Sequence, residues 1–191
     1  MTGPGVPPAV DAATARAARG GFTMSCDPQT GRLLAVLAAG TPAGGRLLEL
    51  GTGTGVGTSW LLQGLRSRTD VELITVELDP ATAALVDTTS WPQWARLVID
   101  DAVAVTERSG TFDLIFADAQ GGKWHRLDAT VNALRPGGLL VVDDMTPEHF
   151  LDNTHAEHTR RVRHQLLDHP KLISAEVSWS TGLILCTKLH T

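Results

Sequence analysis

The stretch of the sequence that could most clearly do chemistry is a glycine-rich segment, Glu49 to Gly57, which begins at the end of the short apolar run 46–50. Glycines at such a turn let the backbone approach a ligand closely and adopt positive φ. The dinucleotide pattern GxGxxG is not met, because Val56 and Thr58 stand where its last glycine would fall. The carboxylate of Glu49 favours a ligand with a cationic amine over a diphosphate. The alternative is a turn that only eases the packing of a helix on a sheet.

Acidic residues also stand at the ends of the next two apolar runs. Glu77 closes the second run about 20 residues after the glycines, where an acid accepts hydrogen bonds from ribose hydroxyls. Asp101 follows the third run, and we expect it to accept a hydrogen bond from the amino group of an adenine. The alternative for Asp101 is simple capping of a helix, which is also the role expected of Asp79 before Pro80.

Three more acids end the fourth and fifth apolar runs. Asp118 follows the run 112–117, and Asp143 and Asp144 follow the run 138–142. In neighbouring strands, about 4.8 Å apart, these carboxylates would converge at one end of the sheet. Oxygen ligands without cysteine or histidine suit Mg²⁺ or Ca²⁺. The sequence therefore predicts a metal site, with cap and turn residues in a metal-free protein as the alternative.

Apolar runs alternate with amphipathic segments along most of the chain, which predicts a parallel sheet covered by helices on both faces. The helical patterns include one from 80 to about 87 and one running through Leu134. A helix over 154–167 leads to two further strands, 172–177 and 183–187, whose short connection requires an antiparallel hairpin. The expected fold is a Rossmann-like, doubly wound α/β sheet that ends in one reversed strand.

Length and composition fit one ordinary globular domain. The chain has 191 residues, of which 42% are apolar and 19% are charged. Residues 1–20 are rich in Ala, Gly and Pro, and we expect them to form a flexible arm or a marginal helix over 12–19. The single domain is then expected to span 21–191.

Charge and cysteine content exclude several classes of protein. The net charge of −5 disfavours nucleic-acid binding, and the one basic cluster, at 160, 161 and 163, is expected to be a solvated helix face. No apolar run reaches the roughly 18 residues that span a bilayer, so no membrane association is expected. With only Cys26 and Cys186 available, disulfides are not expected, and a reducing cytoplasm is the expected location.

Four motifs in order resemble those of class I S-adenosylmethionine-dependent methyltransferases, and within them the small catechol and caffeoyl-CoA-type O-methyltransferases. They are Leu-Glu-Leu-Gly-Thr-Gly-Thr-Gly at 48–55, Val-Glu-Leu-Asp at 76–79, Asp-Leu-Ile-Phe-Ala-Asp at 113–118 and Arg-Pro-Gly-Gly-Leu-Leu-Val-Val-Asp-Asp at 135–144. The resemblance runs from about 28 to 188. It implies a seven-stranded sheet of order 3-2-1-4-5-7-6, with strand 7 antiparallel.

The resemblance also implies a methyl donor, S-adenosylmethionine, and the residues that bind it. Glu49 would face the methionine amino group of the cofactor, and Glu77 would hold the ribose. The other residues expected at the cofactor lie on the glycine-rich turn and the next strand ends: Gly51, Thr52, Gly53, Gly55, Asp101, Ala102 and Asp118.

The expected reaction is transfer of the methyl group to a hydroxyl of a small aromatic molecule, helped by a divalent cation such as Mg²⁺ that lowers the pKa of that hydroxyl. In the family an Asn usually stands at Asp144, so a third carboxylate is a departure, and the family's lysine falls on Gly121. Lys123 is therefore the candidate base beside Asp118, with a solvated surface lysine as the alternative. Members of the family often pair, which makes a homodimer possible.

Other side chains near the same loops are less specific. Trp124 is expected either as an apolar wall of the acceptor pocket or as a core residue. His155 and His158 have the helical spacing of a metal pair, but a solvated face is the favoured interpretation. His125 and His149 are candidate acceptor-side bases by position alone.

Three rivals to this interpretation remain open on the sequence alone. A nicotinamide-dependent oxidoreductase would need the missing third glycine and a set of hydride-transfer residues. A non-catalytic S-adenosylmethionine-binding protein is compatible with the displaced lysine and with Asp144. An aminopropyl transferase shares the acidic strand ends but usually carries an N-terminal β-domain, for which the chain has no room.

Overall fold

A computed structural model of the protein describes residues 5–146 and 153–190. Within these two ranges the helices are α1 (Pro8–Arg19), α2 (Pro28–Ala39), α3 (Val56–Gly64), α4 (Pro80–Ala83), α5 (Ala102–Arg108), α6 (Leu127–Asn132) and α7 (Asn153–Leu167). The strands are β1 (Arg46–Leu50), β2 (Glu72–Glu77), β3 (Ala95–Ile99), β4 (Phe112–Ala117), β5 (Leu134–Val142), β6 (Leu172–Val177) and β7 (Leu183–Lys188). None of the helices in this part of the chain is long and apolar enough to cross a bilayer.

The strands form one sheet of order β3-β2-β1-β4-β5-β7-β6, in which β7 runs antiparallel to both of its neighbours. This confirms the expected fold and strand order. Leu50, the last residue of β1, pairs with Val76 in β2 and with Ala117 in β4. The carboxyl ends of these central strands, which carry most of the predicted site residues, therefore lie side by side at one edge of the sheet.

The core explains why the strands are almost continuously apolar. Alternate residues of each central strand pack on opposite faces, so that Leu47 and Leu73 contact the layer of α1, α2 and α3. Leu48 and Ile74 contact the layer of α5, α6 and α7. Burial on both faces requires apolar side chains at consecutive positions, and it fixes the strand ends that hold the site.

Three elements differ from the sequence-based expectations. The helix expected over 80–87 ends at Ala83, and Val86 instead packs against the turn at Gly55. Leu134, expected in a helix, begins β5, because that strand extends backwards through an irregularity that pairs it with Phe112.

The N-terminal segment is the third difference. The structure forms α1 from Pro8, four residues before the expected marginal helix, and α1 packs against α3. Val10, Ala13 and Ala17 are buried in that contact. The described part of the expected flexible arm is thus a helix with an apolar face, because small and β-branched residues at helical spacing can bury against a neighbour.

Candidate active site

The glycine-rich turn between β1 and α3 depends on residues without side chains. Gly51, Gly53 and Gly55 all have positive φ, at 99°, 53° and 84°. A Cβ on Gly53 would lie 2.9 Å from the Phe22 ring, and one on Gly51 would lie 3.1 Å from the backbone nitrogen of Ala119. Both the backbone conformation and the lack of space therefore require glycine here.

A cleft of about 490 Å³ opens above this turn, at the carboxyl ends of β1, β2 and β4. Glu77 lines it, and its two carboxylate oxygens accept hydrogen bonds from the backbone nitrogens of Gly53 (2.8 Å) and Asp79 (3.0 Å). Of the nine residues expected at the cofactor, six line this cleft: Gly51, Gly53, Glu77, Asp101, Ala102 and Asp118.

Asp101 caps a helix, as the alternative interpretation expected, while its contact with an adenine stays a prediction. Its Oδ1 caps α5 by accepting a hydrogen bond from the nitrogen of Ala104 at 2.9 Å, and the residue also lines the cleft. Asp79, expected to be only a cap, caps α4 through Ala81 and Thr82 and lies at the rim of the same cleft. Capping therefore places both acids at the cleft rather than excluding them from it.

Glu49 lies beneath the turn and is not among the residues that line the cleft. Its Oε2 accepts hydrogen bonds from the hydroxyls of Thr58 and Thr75 (2.6 Å for Thr75), while its Oε1 faces Gly57 with no partner among the described residues. Burial raises the pKa of Glu49 to about 7, and the two hydroxyls only partly offset this. The hydroxyl of Thr52, which is also buried, forms a hydrogen bond of 2.6 Å with the hydroxyl of Thr75. The contact of Glu49 with a ligand stays a prediction.

The structure brings Asp118, Asp143 and Asp144 together, with one carboxylate oxygen of each within 4.8 Å of the others. Asp143 Oδ1 accepts hydrogen bonds from the Thr181 hydroxyl and from the nitrogen of Asp144 (2.7 Å). Burial, followed by repulsion from Asp144, raises the pKa of Asp143, and burial is also the main cause of the raised pKa of Asp118. The ionised form of the cluster is therefore only weakly stabilised by its own hydrogen bonds.

Lys123 is buried in this cluster rather than solvated. Its Nζ lies 3.3 Å from Asp144 Oδ2, 4.0 Å from Asp118 Oδ1 and 3.4 Å from the Asp143 carbonyl oxygen. Lys123 stands two residues after the position of the family's lysine, but the loop still brings it to the carboxylates. Gly122 takes a positive φ of 82°, which lets the loop fold back. The alternative of a surface lysine is wrong, since the side chain is only 3% exposed.

A second cleft, of about 450 Å³, opens on the other side of Asp118. It contains the carboxylate cluster and Lys123, and it is closed by the segment 23–27 that joins α1 to α2. Met24, Asp118 and Gln120 line both clefts. Two ligands bound in the two clefts would therefore meet at Asp118.

Trp124 lines this second cleft and also packs against the buried cluster beneath α5, α6 and α7. The ring of His158 stacks on it at 4.7 Å, and that of His155 meets its edge at 5.0 Å. Arg161 donates a hydrogen bond to the Trp124 carbonyl oxygen at 2.7 Å. The expected solvated faces of α7 are thus wrong for His155 and His158, which pack around Trp124, and incomplete for Arg161.

Among the described residues, the remaining histidine candidates are not found at the second cleft, and two residues that were not predicted are. His125 lies 6.0 Å from His158, ring to ring, and does not line the second cleft, while His149 falls outside the described residues. Asp27 and Thr181, which the sequence analysis missed, both line this cleft. The Asp-Pro pair at 27–28 signals a helix cap, but nothing in the sequence indicates that this cap faces the carboxylates.

Comparison with known proteins identifies similar chains. The family described as "Methyltransferase domain" matches residues 48–145, just over half of the chain. A putative O-methyltransferase of Mycolicibacterium vanbaalenii is 37% identical over 123 residues, which are 60% of this chain and 53% of the relative. The chain spans about half the length of the curated relatives it matches.

Solved structures show the same fold. A putative O-methyltransferase from Klebsiella pneumoniae has a TM-score of 0.85 at 24% identity and covers 99% of this chain and 93% of its own. The O-methyltransferase TomG from Streptomyces achromogenes, solved in complex with S-adenosylmethionine, has a TM-score of 0.80 at 20% identity, with 97% and 92% covered. At these identities the likeness concerns the fold.

Proposed function

Because this chain belongs to the methyltransferase domain family, we propose that it transfers the methyl group of S-adenosylmethionine to a hydroxyl of a small aromatic acceptor. The family match confirms the resemblance found in the motifs. The observation that carries the proposal is the pair of clefts that meet at Asp118, one beside the glycine-rich turn and one beside the carboxylate cluster. Methyl transfer needs two ligands held with their reacting atoms adjacent, which this arrangement provides.

The first cleft is assigned to the cofactor. The TomG structure is a complex with S-adenosylmethionine, and that of a Bacillus cereus O-methyltransferase is a complex with the product S-adenosylhomocysteine. Glu77 holds a carboxylate at the end of β2, already fixed by Gly53 and Asp79, where it can accept hydrogen bonds from both ribose hydroxyls. Asp101 lines the same cleft, where it can accept a hydrogen bond from the adenine amino group.

The second cleft is assigned to the acceptor, and its carboxylates fit a divalent cation. Three aspartates share one lysine, and burial with mutual repulsion raises the pKa of Asp118 and Asp143, so a cation bound here would stabilise the ionised form of the cluster. Asp118, Asp143 and Asp144 would hold the ion through hard oxygen ligands. Such an ion, when bound, would lower the pKa of the acceptor hydroxyl.

Lys123 is the residue placed to handle the proton of the acceptor hydroxyl. Its Nζ lies within the carboxylate cluster, 4.0 Å from Asp118, where the two clefts meet. A phenol with a pKa near ~10 is a poor nucleophile at neutral pH, so a base at this place would speed the attack. Lys123 can take the phenol proton only after its ammonium has passed its own proton to a neighbouring carboxylate, Asp118 or Asp144. Trp124 offers a flat apolar surface for the acceptor ring.

Calorimetric titration tests the cofactor assignment. We expect S-adenosylhomocysteine to bind in the micromolar range and NADPH not to bind, because the turn lacks the diphosphate-binding glycine pattern. A preference for NADPH would reject the methyltransferase proposal. The proposal also includes a contact of Glu49 with the amino group of the cofactor, and a homodimer. It includes a cytoplasmic location as well, in keeping with the two free buried thiols.

The metal is tested by thermal unfolding with and without Mg²⁺. We expect Mg²⁺ to raise the melting temperature of the protein, because a ligand that binds only the folded state stabilises it. The variant Asp143→Asn should lose most of that shift. An identical melting temperature in Mg²⁺ and in chelator would remove the metal and leave the methyl transfer unaffected.

A further inference from the structure

A third cavity, of about 450 Å³, lies apart from the two clefts and shares no lining residue with either of them. Its walls include α1, α3 and the segment 87–94, which lies between α4 and β3. Ala9, Ala12 and Arg16 line it from one face of α1, because residues three and four apart along a helix are neighbours on its surface. The short side chains of the two alanines leave room beside α1, and the volume is that of an ordinary small-molecule site.

This cavity is positively charged in a chain whose net charge is −5. Among the described residues, three arginines and one aspartate line it, a formal charge of +2; they are Arg16, Arg66, Arg68 and Asp87. Arg68 is already committed, because it forms an ion pair of 2.7 Å with the aspartate two residues on and donates to two backbone carbonyl oxygens. The Oδ1 of Asp87 accepts hydrogen bonds from the nitrogen and the hydroxyl of Thr89. Arg16 and Arg66 are therefore the charges left to meet a ligand.

Arg16 also carries a buried donor without a partner. Its Nε is shielded from solvent and forms no hydrogen bond within residues 5–146 and 153–190. A buried N–H without an acceptor costs free energy, which an acceptor bound in the cavity would offset. Of the ion pairs formed within the same two ranges, none involves Arg16 or Arg66. The planar guanidinium group of each can therefore bind a carboxylate through paired hydrogen bonds.

Another wall of the cavity is aromatic and apolar. Two of the five tryptophans of the chain, Trp91 and Trp94, line it together with Leu62 and Pro92. Trp94 packs against the core cluster beneath α1, α2 and α3, and the Trp91 ring lies 4.0 Å from where a Cβ on Gly55 would stand. Both side chains are only partly buried, so rings held from behind keep a surface on which a flat ligand can stack.

We infer that this cavity is a further ligand site, which binds a flat aromatic molecule that carries a carboxylate. The ring would stack on the tryptophans, and the carboxylate would pair with Arg16 and Arg66. Neither arginine belongs to the basic cluster at 160, 161 and 163, because the two come together only when α1 packs on α3. Since the cavity is separate from the cofactor cleft, it should bind its ligand whether or not the cofactor is present.

Three probes that share an indole ring but differ in charge test this inference. They are indole-3-acetate (−1), indole-3-acetamide (neutral) and tryptamine (+1), titrated calorimetrically into the full chain with and without saturating S-adenosylhomocysteine. We expect indole-3-acetate to bind at least about tenfold more tightly than tryptamine, and to bind in the presence of S-adenosylhomocysteine as well. Equal or reversed affinities, no detectable binding of indole-3-acetate, or its displacement by S-adenosylhomocysteine would overturn the inference.

Matched variants assign the binding to this cavity. Arg16→Gln removes the charge but keeps a long polar side chain, and it should weaken indole-3-acetate binding at least about fivefold while changing that of indole-3-acetamide less than about twofold. Arg66→Gln, at an exposed residue, should show the same pattern at least about threefold.

The control is Arg160→Gln, which removes the same charge from an exposed position on α7, on the other face of the sheet, and should change neither affinity. Unchanged indole-3-acetate affinity in both Arg16→Gln and Arg66→Gln rejects this cavity as the site. Failure of S-adenosylhomocysteine to bind would count against the proposed function alone, because the titrations without it still test the cavity.

Discussion

The two clefts that meet at Asp118 are built in different ways. The cofactor cleft is made mainly by one turn and by the residues that follow β2, β3 and β4, which the fold brings into register, with Phe22 and Met24 added from the segment before α2. The acceptor cleft takes its walls from five separate segments: 23–27, 118–124, 143–144, the start of α7 and the turn before β7. The difference teaches that the first cleft follows from the fold, while the second depends on particular side-chain contacts between segments.

If that comparison is right, removing the ammonium group of Lys123 from the acceptor cleft should have the largest effect on the stability of the protein. Lys123→Met leaves Asp144 and Asp118 without their buried partner, which costs about 3–5 kcal/mol of unfolding free energy. Chemical denaturation measures this loss, and S-adenosylhomocysteine titration of the folded protein should show an unchanged cofactor affinity. Asp128→Asn, at an exposed ion pair with Arg126, is the control and should cost less than about 1 kcal/mol.

A buried acid beneath the glycine-rich turn should make the cofactor side of the molecule sensitive to pH. The folded protein raises the pKa of Glu49 from 4.5 to about 7, so the folded state binds the proton more tightly than the unfolded state. Stability from this group is complete below pH 4.5 and is lost as the pH rises through 7. Glu49→Gln should therefore gain stability relative to the wild type between these values, by on the order of 3 kcal/mol at the alkaline end.

Melting temperatures of both proteins from pH 5 to pH 8 check this expectation. The wild type and Glu49→Gln should lie close together at the acidic end and separate as the pH rises. Two parallel curves would mean that Glu49 is ionised throughout and stabilised by something other than its two threonine partners.

The ribose contact gives the next largest effect, and it should be confined to the cofactor cleft. If Glu77 accepts hydrogen bonds from the ribose hydroxyls as proposed, Glu77→Ala should weaken S-adenosylhomocysteine binding by about 1.5–3 kcal/mol, as for hydrogen bonds to a charged group. Calorimetry measures the affinity, and Glu107→Ala, at an exposed ion pair with Arg126, serves as the control. An unaltered affinity in Glu77→Ala would show that the ribose lies elsewhere.

The smallest effect should come from the ring that supports Trp124. His158→Ala removes one stacked partner at 4.7 Å, a contact of about 0.5–1.5 kcal/mol, and should raise the KM for the acceptor a few-fold without changing the affinity for the cofactor. Steady-state kinetics with each ligand varied in turn separates the two effects. A variant that lost cofactor affinity instead would break the division between the clefts.

The same division explains how much could be predicted from the sequence. The periodic apolar runs predict the sheet, its hairpin and the strand ends, and motifs at those ends place Glu77, Asp101 and the three aspartates correctly at one edge. Asp27 could not be found this way, because its place depends on how the segment before α2 crosses that edge.

Other misses have equally local causes. Helix α4 ends at Ala83 and Val86 beyond it packs at Gly55, while α1 packs its small residues against α3. The burial of Glu49 under the turn depends on two threonines from other elements, Thr58 and Thr75. Tertiary contacts of this kind leave no periodic signal in the chain.

The three residues common to both clefts constrain how this enzyme fold can diversify. A substitution at Met24, Asp118 or Gln120 alters both clefts, so a lineage that adapts the proposed acceptor cleft through these positions also disturbs the proposed cofactor cleft. Substitutions at Asp27, Trp124 or Thr181 reach one ligand alone. Evolutionary and engineered changes of acceptor should accumulate at this second set, which makes it the place to randomise first in a directed-evolution library.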